Sequence, residues 1–328
     1  MKRLVTLVSL ALCMLAPSAF AGAVGFREVS VPNGTDAPLT VGIWYPTAAT
    51  PAPAPLGTFT QVVAVNGAVA DGIRAPLVVM SHGNGGWYGG HYDTALALAQ
   101  AGFIVAAVSH TGDTYDDQSR SVRMADRPRH LKRLIDFMLK EWSDRARVDA
   151  DRIGAFGFSS GGFTVLVAAG GTPDMGRVAP HCQAHPDYFD CGLVRKSPEG
   201  ARMGSLSAAV WTHDARIRAA VVAAPALGFT FGSDGLKGVR EPIQLWRDLD
   251  DHILPNPDYA EAVRANLPAP PEMHLVEHAD HFDFLAPCDD RLAHIAPAIC
   301  RSEPGFDRAA FHAAFNRDVV RFFQEHLR

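Results

Sequence analysis

Hydrophobic and polar positions change period repeatedly along this chain. Short apolar runs, rich in β-branched residues and bounded by turn formers, occur at 27–32 (REVSVP), 39–45 (LTVGIWY), 76–81 (PLVVMS), 103–109 (FIVAAVS), 153–158 (IGAFGF), 217–224 (IRAAVVAA), 242–247 (PIQLWR) and 272–277 (EMHLVE). Each has strand length, giving eight predicted strands. Helical patterns appear at 91–101, 126–141, 161–169 and 257–266, and a long amphipathic stretch at 307–327 closes the chain. Strands alternating with helices of this length build βαβ units, so the expected class is α/β, with a mostly parallel eight-stranded sheet flanked by helices. The first two strands lack an intervening helix and are expected to form an antiparallel edge.

Two stretches break the alternation. Residues 171–214 form a Pro/Gly-rich insertion with one cysteine pair, and 285–306 hold another pair. Long loops in a compact domain usually cover or bind something, so 171–214 reads as a small lid. The Ala/Pro-rich stretch 47–57 reads as an extended surface loop. One domain spanning 22–328 is the simplest partition.

The first residues change the picture of where this domain works. Lys2 and Arg3 precede an apolar stretch from Leu4 to Ala16, and Ala19-Phe20-Ala21 has the small-x-small form of a cleavage site. Residues 1–21 therefore read as a secretory signal peptide. The run is shorter than the roughly 20 residues of a membrane span. Leu12 precedes Cys13 where a lipoprotein signal needs a small residue, so no stable membrane anchor is expected. Removing this segment takes two basic residues and no acid, and the formal charge moves from −5 to −7. A mildly acidic chain without a Lys/Arg run offers nothing to nucleic acid. With 48% hydrophobic and 20% charged residues, it is built to bury a core. Four cysteines remain, and an even number in an oxidising compartment predicts disulfides. Each pair lies within one loop-like segment, so Cys182–Cys191 and Cys288–Cys300 are expected.

The candidate chemistry centres on GAFGFSSGGF, residues 154–163. Gly157-Phe158-Ser159-Ser160-Gly161 falls where a strand pattern gives way to a helical one, the place of a nucleophile elbow in an α/β-hydrolase. A serine forced into so tight a turn needs neighbours without side chains two residues before and two after, and Ser159 alone has both. A serine hydroxyl needs a base, and in this fold the order is Ser, then Asp or Glu, then His. Asp251 follows the run at 242–247, and His281 follows the run at 272–277. Asp251 would orient His281, which would take the Ser159 proton. The backbone N–H groups of Ser160, at a helix start, and of Asn84, in VVMSHGNGGW, are the expected oxyanion donors.

Rival assignments stay open on sequence alone. Asp248 and Asp250 compete with Asp251 but read more naturally as turn residues, and His278 competes with His281. Trp87, Tyr88, Tyr115, Phe158, Phe229 and Phe282 flank the motifs and could line an apolar pocket. His110 and Asp113 also follow a strand end and could line the site or stabilise its loop. His82, His181, His185, His278 and His281 show no H-E-x-x-H or comparable pairing, so no metal is expected. No cofactor is needed for the chemistry.

Nearly the whole chain after residue 21 resembles the α/β-hydrolases grouped as predicted dienelactone hydrolases, relatives of platelet-activating-factor acetylhydrolases. The similar stretches are VGIWYPT, PLVVMSHGNGG, GAFGFSSGGF, DARIRAAVVAAPALGF, DDHILP, ADHFDFLAPC and FDRAAFHAAF. The resemblance implies a serine hydrolase of carboxylic esters, with the triad on Ser159, Asp251 and His281 and a small-molecule ester as its partner. Dienelactone hydrolases proper use cysteine where this chain has Ser159. In the acetylhydrolase pattern the acid follows the sixth strand, where this chain has Ala224-Pro225-Ala226, so the acid falls to the next strand end. An amidase or peptidase on the same scaffold is the alternative activity, and a non-catalytic binding protein with this fold is the alternative class. Acyl-chain preference and oligomeric state carry no readable motif.

Overall fold

The computed structural model describes residues 22–205 and 210–328, so the segment read as a signal peptide lies outside it. Ten strands form the sheet among the described residues: β1 (Ala23–Asn33), β2 (Asp36–Thr47), β3 (Ala52–Leu56), β4 (Phe59–Val65), β5 (Ala75–Ser81), β6 (Ile104–Ser109), β7 (Val148–Phe158), β8 (Ile217–Ala223), β9 (Ile243–Asp248) and β10 (Glu272–Val276). Their order is β10-β9-β8-β7-β5-β6-β2-β1-β4-β3. From β6 to β10 every pairing is parallel, whereas β2 pairs antiparallel with both β6 and β1.

The eight expected strands are present, and β3 and β4 are additional. Part of the stretch expected as a loop forms β3, which pairs antiparallel with β4 at the outer edge. Proline breaks a central strand, and Pro53 and Pro55 argued against one here. An edge strand tolerates proline on its open side, because no partner needs the missing N–H.

Alternation along the central strands serves both faces of the sheet. Leu77 and Val79 of β5 face one core with Ile104, Ala106 and Val108 of β6; Val78 and Met80 face the other with Val105 and Ala107. A strand covered on both sides reads as an unbroken apolar run, which is why these were legible. One face carries α2 (Asp126–Lys140), whose Leu131, Leu134, Ile135 and Met138 recur at helical spacing, and α3 (Ser160–Ala168), buried throughout. The other carries α1 (Tyr92–Gln100) and α9 (Arg308–His326), which packs Phe315, Val319, Phe322 and Phe323 inward.

The insertion at 171–214 holds α4 (Val178–Ala184) and α5 (Phe189–Lys196), tied by Cys182–Cys191. After a short α6 (Ala260–Asn266), the later segment holds α7 (Asp290–Ile295) and α8 (Pro297–Cys300), closed by Cys288–Cys300. Both disulfides are the local pairings, and two such bonds suit an oxidising compartment outside the cytoplasm. Among the described residues no helix is long and apolar enough to cross a membrane. The parallel strands bring the loops after β5, β7, β9 and β10 to one edge, where ligands meet open α/β sheets.

Candidate active site

Ser159 occupies the turn between β7 and α3 with φ 55° and ψ −120°. A residue with a Cβ pays steric strain for that backbone, and the surroundings impose it. The Ser159 N–H donates to Ala223 O (2.9 Å) on β8, and its carbonyl accepts from Phe163 and Ala226 N–H (3.1 and 3.0 Å). The glycines are sterically required. A Cβ on Gly157 would lie 2.1 Å from Gly161 O, and one on Gly161 would lie 1.9 Å from Ser81 O.

The loops after β9 and β10 bring their side chains to this serine. His281 Nε2 lies 3.0 Å from Ser159 Oγ, and His281 Nδ1 lies 2.9 Å from Asp251 Oδ2. All three residues are buried. The other Asp251 oxygen accepts the N–H groups of Ile253 and Leu254 (2.8 and 2.6 Å). Burial pushes the Asp251 carboxyl up, but His281, by charge and hydrogen bond, and the Leu254 N–H outweigh it and hold the group below its ordinary value. His281 starts a 3₁₀ turn, His281–Phe284, capped by Asp280, whose side chain accepts the His281 N–H (2.8 Å). Asp283 in that turn is bonded by Arg308 of α9 (2.9 Å), so the histidine loop is anchored to the closing helix.

Of the rival residues only Asp248 stays beside the triad, with a carboxylate oxygen within 4.8 Å of donor atoms of Asp251 and His281. Asp250 and His278 are exposed and lie 3.8 Å from each other, away from the serine. Asp248, at the end of β9, is buried near Asp251 with its Oδ2 unpartnered. Burial and the neighbouring Asp251 charge push its carboxyl well above the usual range, favouring its protonated form.

Beside Ser159, the turn after β5 is fastened from below. Asp113 Oδ1 accepts both the Asn84 side-chain amide (2.9 Å) and the Gly85 N–H (2.8 Å). Arg127, from the first turn of α2, donates to the other Asp113 oxygen, to the His82 carbonyl and to Thr164 Oγ1 (3.1 Å). These bonds hold the turn while leaving the Asn84 backbone N–H out of its internal bonding, which runs from Gly86 N–H to Gly83 O. The Ser160 N–H lies in the first turn of α3, where no intrahelical acceptor exists.

A cavity of about 810 Å³ opens onto Ser159 and His281. Trp87, Phe158, Phe282 and Tyr115 line it, together with Phe189 and Leu193 of α5. Leu292, Ile295 and Ile299 complete it from the disulfide-closed segment. Arg291 is the one Lys or Arg among the lining residues, and none is Asp or Glu.

Three residues offered as pocket candidates, Tyr88, His110 and Phe229, do not line this cavity. Tyr88 packs into the core against Trp44 and Phe26, with its hydroxyl donating to Glu28. His110 is fully buried, bonded to Ser81 Oγ (2.8 Å) and His130 (3.2 Å); burial and Arg127 hold it neutral, well below the ordinary histidine value. Phe229 instead stacks on His181 of α4.

No family model matches this chain, and no curated protein matches it in sequence. Among solved structures it is similar to a ferulic acid esterase from Streptomyces cinnamoneus, at 20% sequence identity and a TM-score of 0.63, over 95% of this chain and 92% of that one. With the sheet order and the Ser159 elbow, this likeness makes the fold that of an α/β-hydrolase.

Proposed function

We propose that the protein is an exported serine esterase acting on small carboxylic esters by two-step acyl transfer. Ser159 Oγ attacks the ester carbonyl while His281 Nε2 takes its proton, and Asp251 stabilises the imidazolium. The oxyanion is received by the Asn84 and Ser160 amides. Collapse expels the alcohol, which leaves with the proton from His281. Water then attacks the acyl-enzyme through the same base, releasing the acid and restoring Ser159. The observation that carries this reading is the buried line of hydrogen bonds from Ser159 through His281 to Asp251 at the wall of a largely apolar cavity.

The segments 171–214 and 285–306 act as a disulfide-tied lid and wall over one catalytic domain. Residues 1–21 direct export, in keeping with the two disulfides. The dienelactone hydrolase-like stretches, together with the ferulic acid esterase likeness in fold, support an ester as substrate. The cavity volume suits short-to-medium acyl esters or an ester of an aromatic acid. The test is hydrolysis of p-nitrophenyl esters from acetate to palmitate and of a feruloyl ester, with Ser159→Ala alongside. Turnover is expected on the shorter members and absent in the variant at unchanged circular dichroism. Turnover retained by Ser159→Ala overturns the mechanism, and no turnover of any ester by the folded, oxidised chain overturns the activity.

A further inference from the structure

Outside the residues that line the cavity, three metal-ligand side chains converge from two separate parts of the chain. His181 and His185 stand four residues apart, at the middle and the C-cap of α4, and so share one helix face. Asp258 comes from the loop between Asp251 and α6. One donor atom from each lies within 4.8 Å of the other two, and His185 Nε2 is 3.8 Å from Asp258 Oδ2.

We propose that His181, His185 and Asp258 form a zinc(II) site that ties the insertion to the loop leading out of the Asp251 turn. Two imidazoles and one carboxylate are a donor set that suits zinc, with a fourth position left for water. Donors around a four-coordinate zinc at 2.0–2.1 Å lie about 3.3 Å apart, so the set has to contract. All three side chains are only partly buried, so the contraction displaces no core packing. The ring planes are held in advance: His181 stacks on Phe229 with centroids 3.7 Å apart, and His185 stacks on Tyr188 at 4.5 Å. His181 Nε2 also meets the Tyr259 hydroxyl (3.3 Å), which donates to the buried Asp190 (3.0 Å). Such an outer partner fixes the tautomer and leaves the other ring nitrogen to ligate. The sequence expectation of no metal looked for histidines flanking a glutamate; the third donor here is contributed by a distant loop.

The site is independent of the proposed catalysis, and so is its test. The full oxidised chain, stripped with a chelator and exchanged into non-coordinating buffer, is titrated calorimetrically with zinc chloride. His185→Ala, Asp258→Asn, Ser159→Ala and a control at an exposed histidine of α7, His294→Ala, are run in parallel. One equivalent of zinc bound in the micromolar range is expected, with a raised Tm. His185→Ala and Asp258→Asn should each weaken binding about tenfold or more and remove the Tm shift. Ser159→Ala and His294→Ala should bind like the parent. Absence of zinc uptake overturns the proposal, as does uptake that survives both the His185 and Asp258 substitutions.

Discussion

Arg127 and Asp113 form an ion pair sealed from solvent beneath the turn that carries Asn84, with side chains 2% and 4% exposed. Removing one partner of a buried pair strands the other charge, at a cost of about 3–5 kcal/mol. Arg127→Met is therefore expected to lower stability by that amount in urea denaturation. It should also lower kcat for acetate esters by about 10²-fold with a smaller change in KM, because the Asn84 donor loses its support. An unchanged kcat would show that the turn holds itself.

The two buried aspartates after β9 should behave oppositely. Asp251→Asn removes the charge that steadies the His281 imidazolium and should cost about 10³–10⁴ in kcat. Asp248→Asn replaces a carboxyl whose protonated form is favoured with a neutral amide of the same shape and should keep most of the activity. Equal losses from the two substitutions would contradict this division of roles.

Asp248 also gives stability a pH dependence. Its carboxyl is raised in the native state, so just above the ordinary carboxylate range the native chain keeps a proton that the unfolded chain has released. Stability then falls as pH rises above the ordinary carboxylate range, by up to about 1.4 kcal/mol per pH unit from this one group. Asp248→Asn should accordingly be more stable than the parent at pH 8, with the difference closing at pH 4. Thermal melts at the two pH values measure it, and a destabilised variant at pH 8 would reverse the sign.

The Cys288–Cys300 bond spans a sequence separation of 12 and closes the segment that supplies Leu292, Ile295 and Ile299 to the cavity. A loop of this size is worth about 3 kcal/mol in the chain-entropy account. Replacing both cysteines by serine should lower Tm and reduce turnover of longer acyl esters more than of acetate. Equal effects on all chain lengths would remove this segment from substrate contact.

Arg291, exposed and without an acid partner among the described residues, gives an otherwise uncharged cavity lining a positive end. Arg291→Ala should lower kcat/KM for an ester bearing a free carboxylate relative to a neutral ester of the same size. The loss should shrink as salt rises, because an exposed charge is screened. An unchanged ratio at low salt would leave Arg291 as a bystander.

Legibility followed how local each constraint was. The Ser159 elbow was readable because its glycines are fixed by atoms within four residues and by one neighbouring strand. The order of Ser159, Asp251 and His281 was readable because parallel strands deliver their C-terminal ends to one edge. Asp251 was preferred over Asp248 on sequence, but both are buried acids beside a strand end, and in the fold it is the His281 hydrogen bond that separates them. Arg127 was missed because 126–141 was read only as a helical pattern, without asking which face its charges take. Yet Arg127 falls in register with Leu131, Leu134 and Met138, and an arginine on a buried stripe signals an interior partner. Tyr88, offered as a pocket candidate, and His110, left between lining the site and supporting its loop, turn inward, since nearness in sequence to a motif does not say which way a side chain faces. The edge strand β3 was hidden by its prolines.

Those prolines have a consequence for the molecule among its neighbours. The outermost strand of a sheet normally offers a row of free donors on which a second chain can assemble. Here Pro53 and Pro55 alternate with the residues of β3 that face β4, so the outward margin has lost its N–H groups at both positions. Two molecules meeting at this margin lack the donors for a full backbone ladder, so the edge discourages strand-to-strand joining.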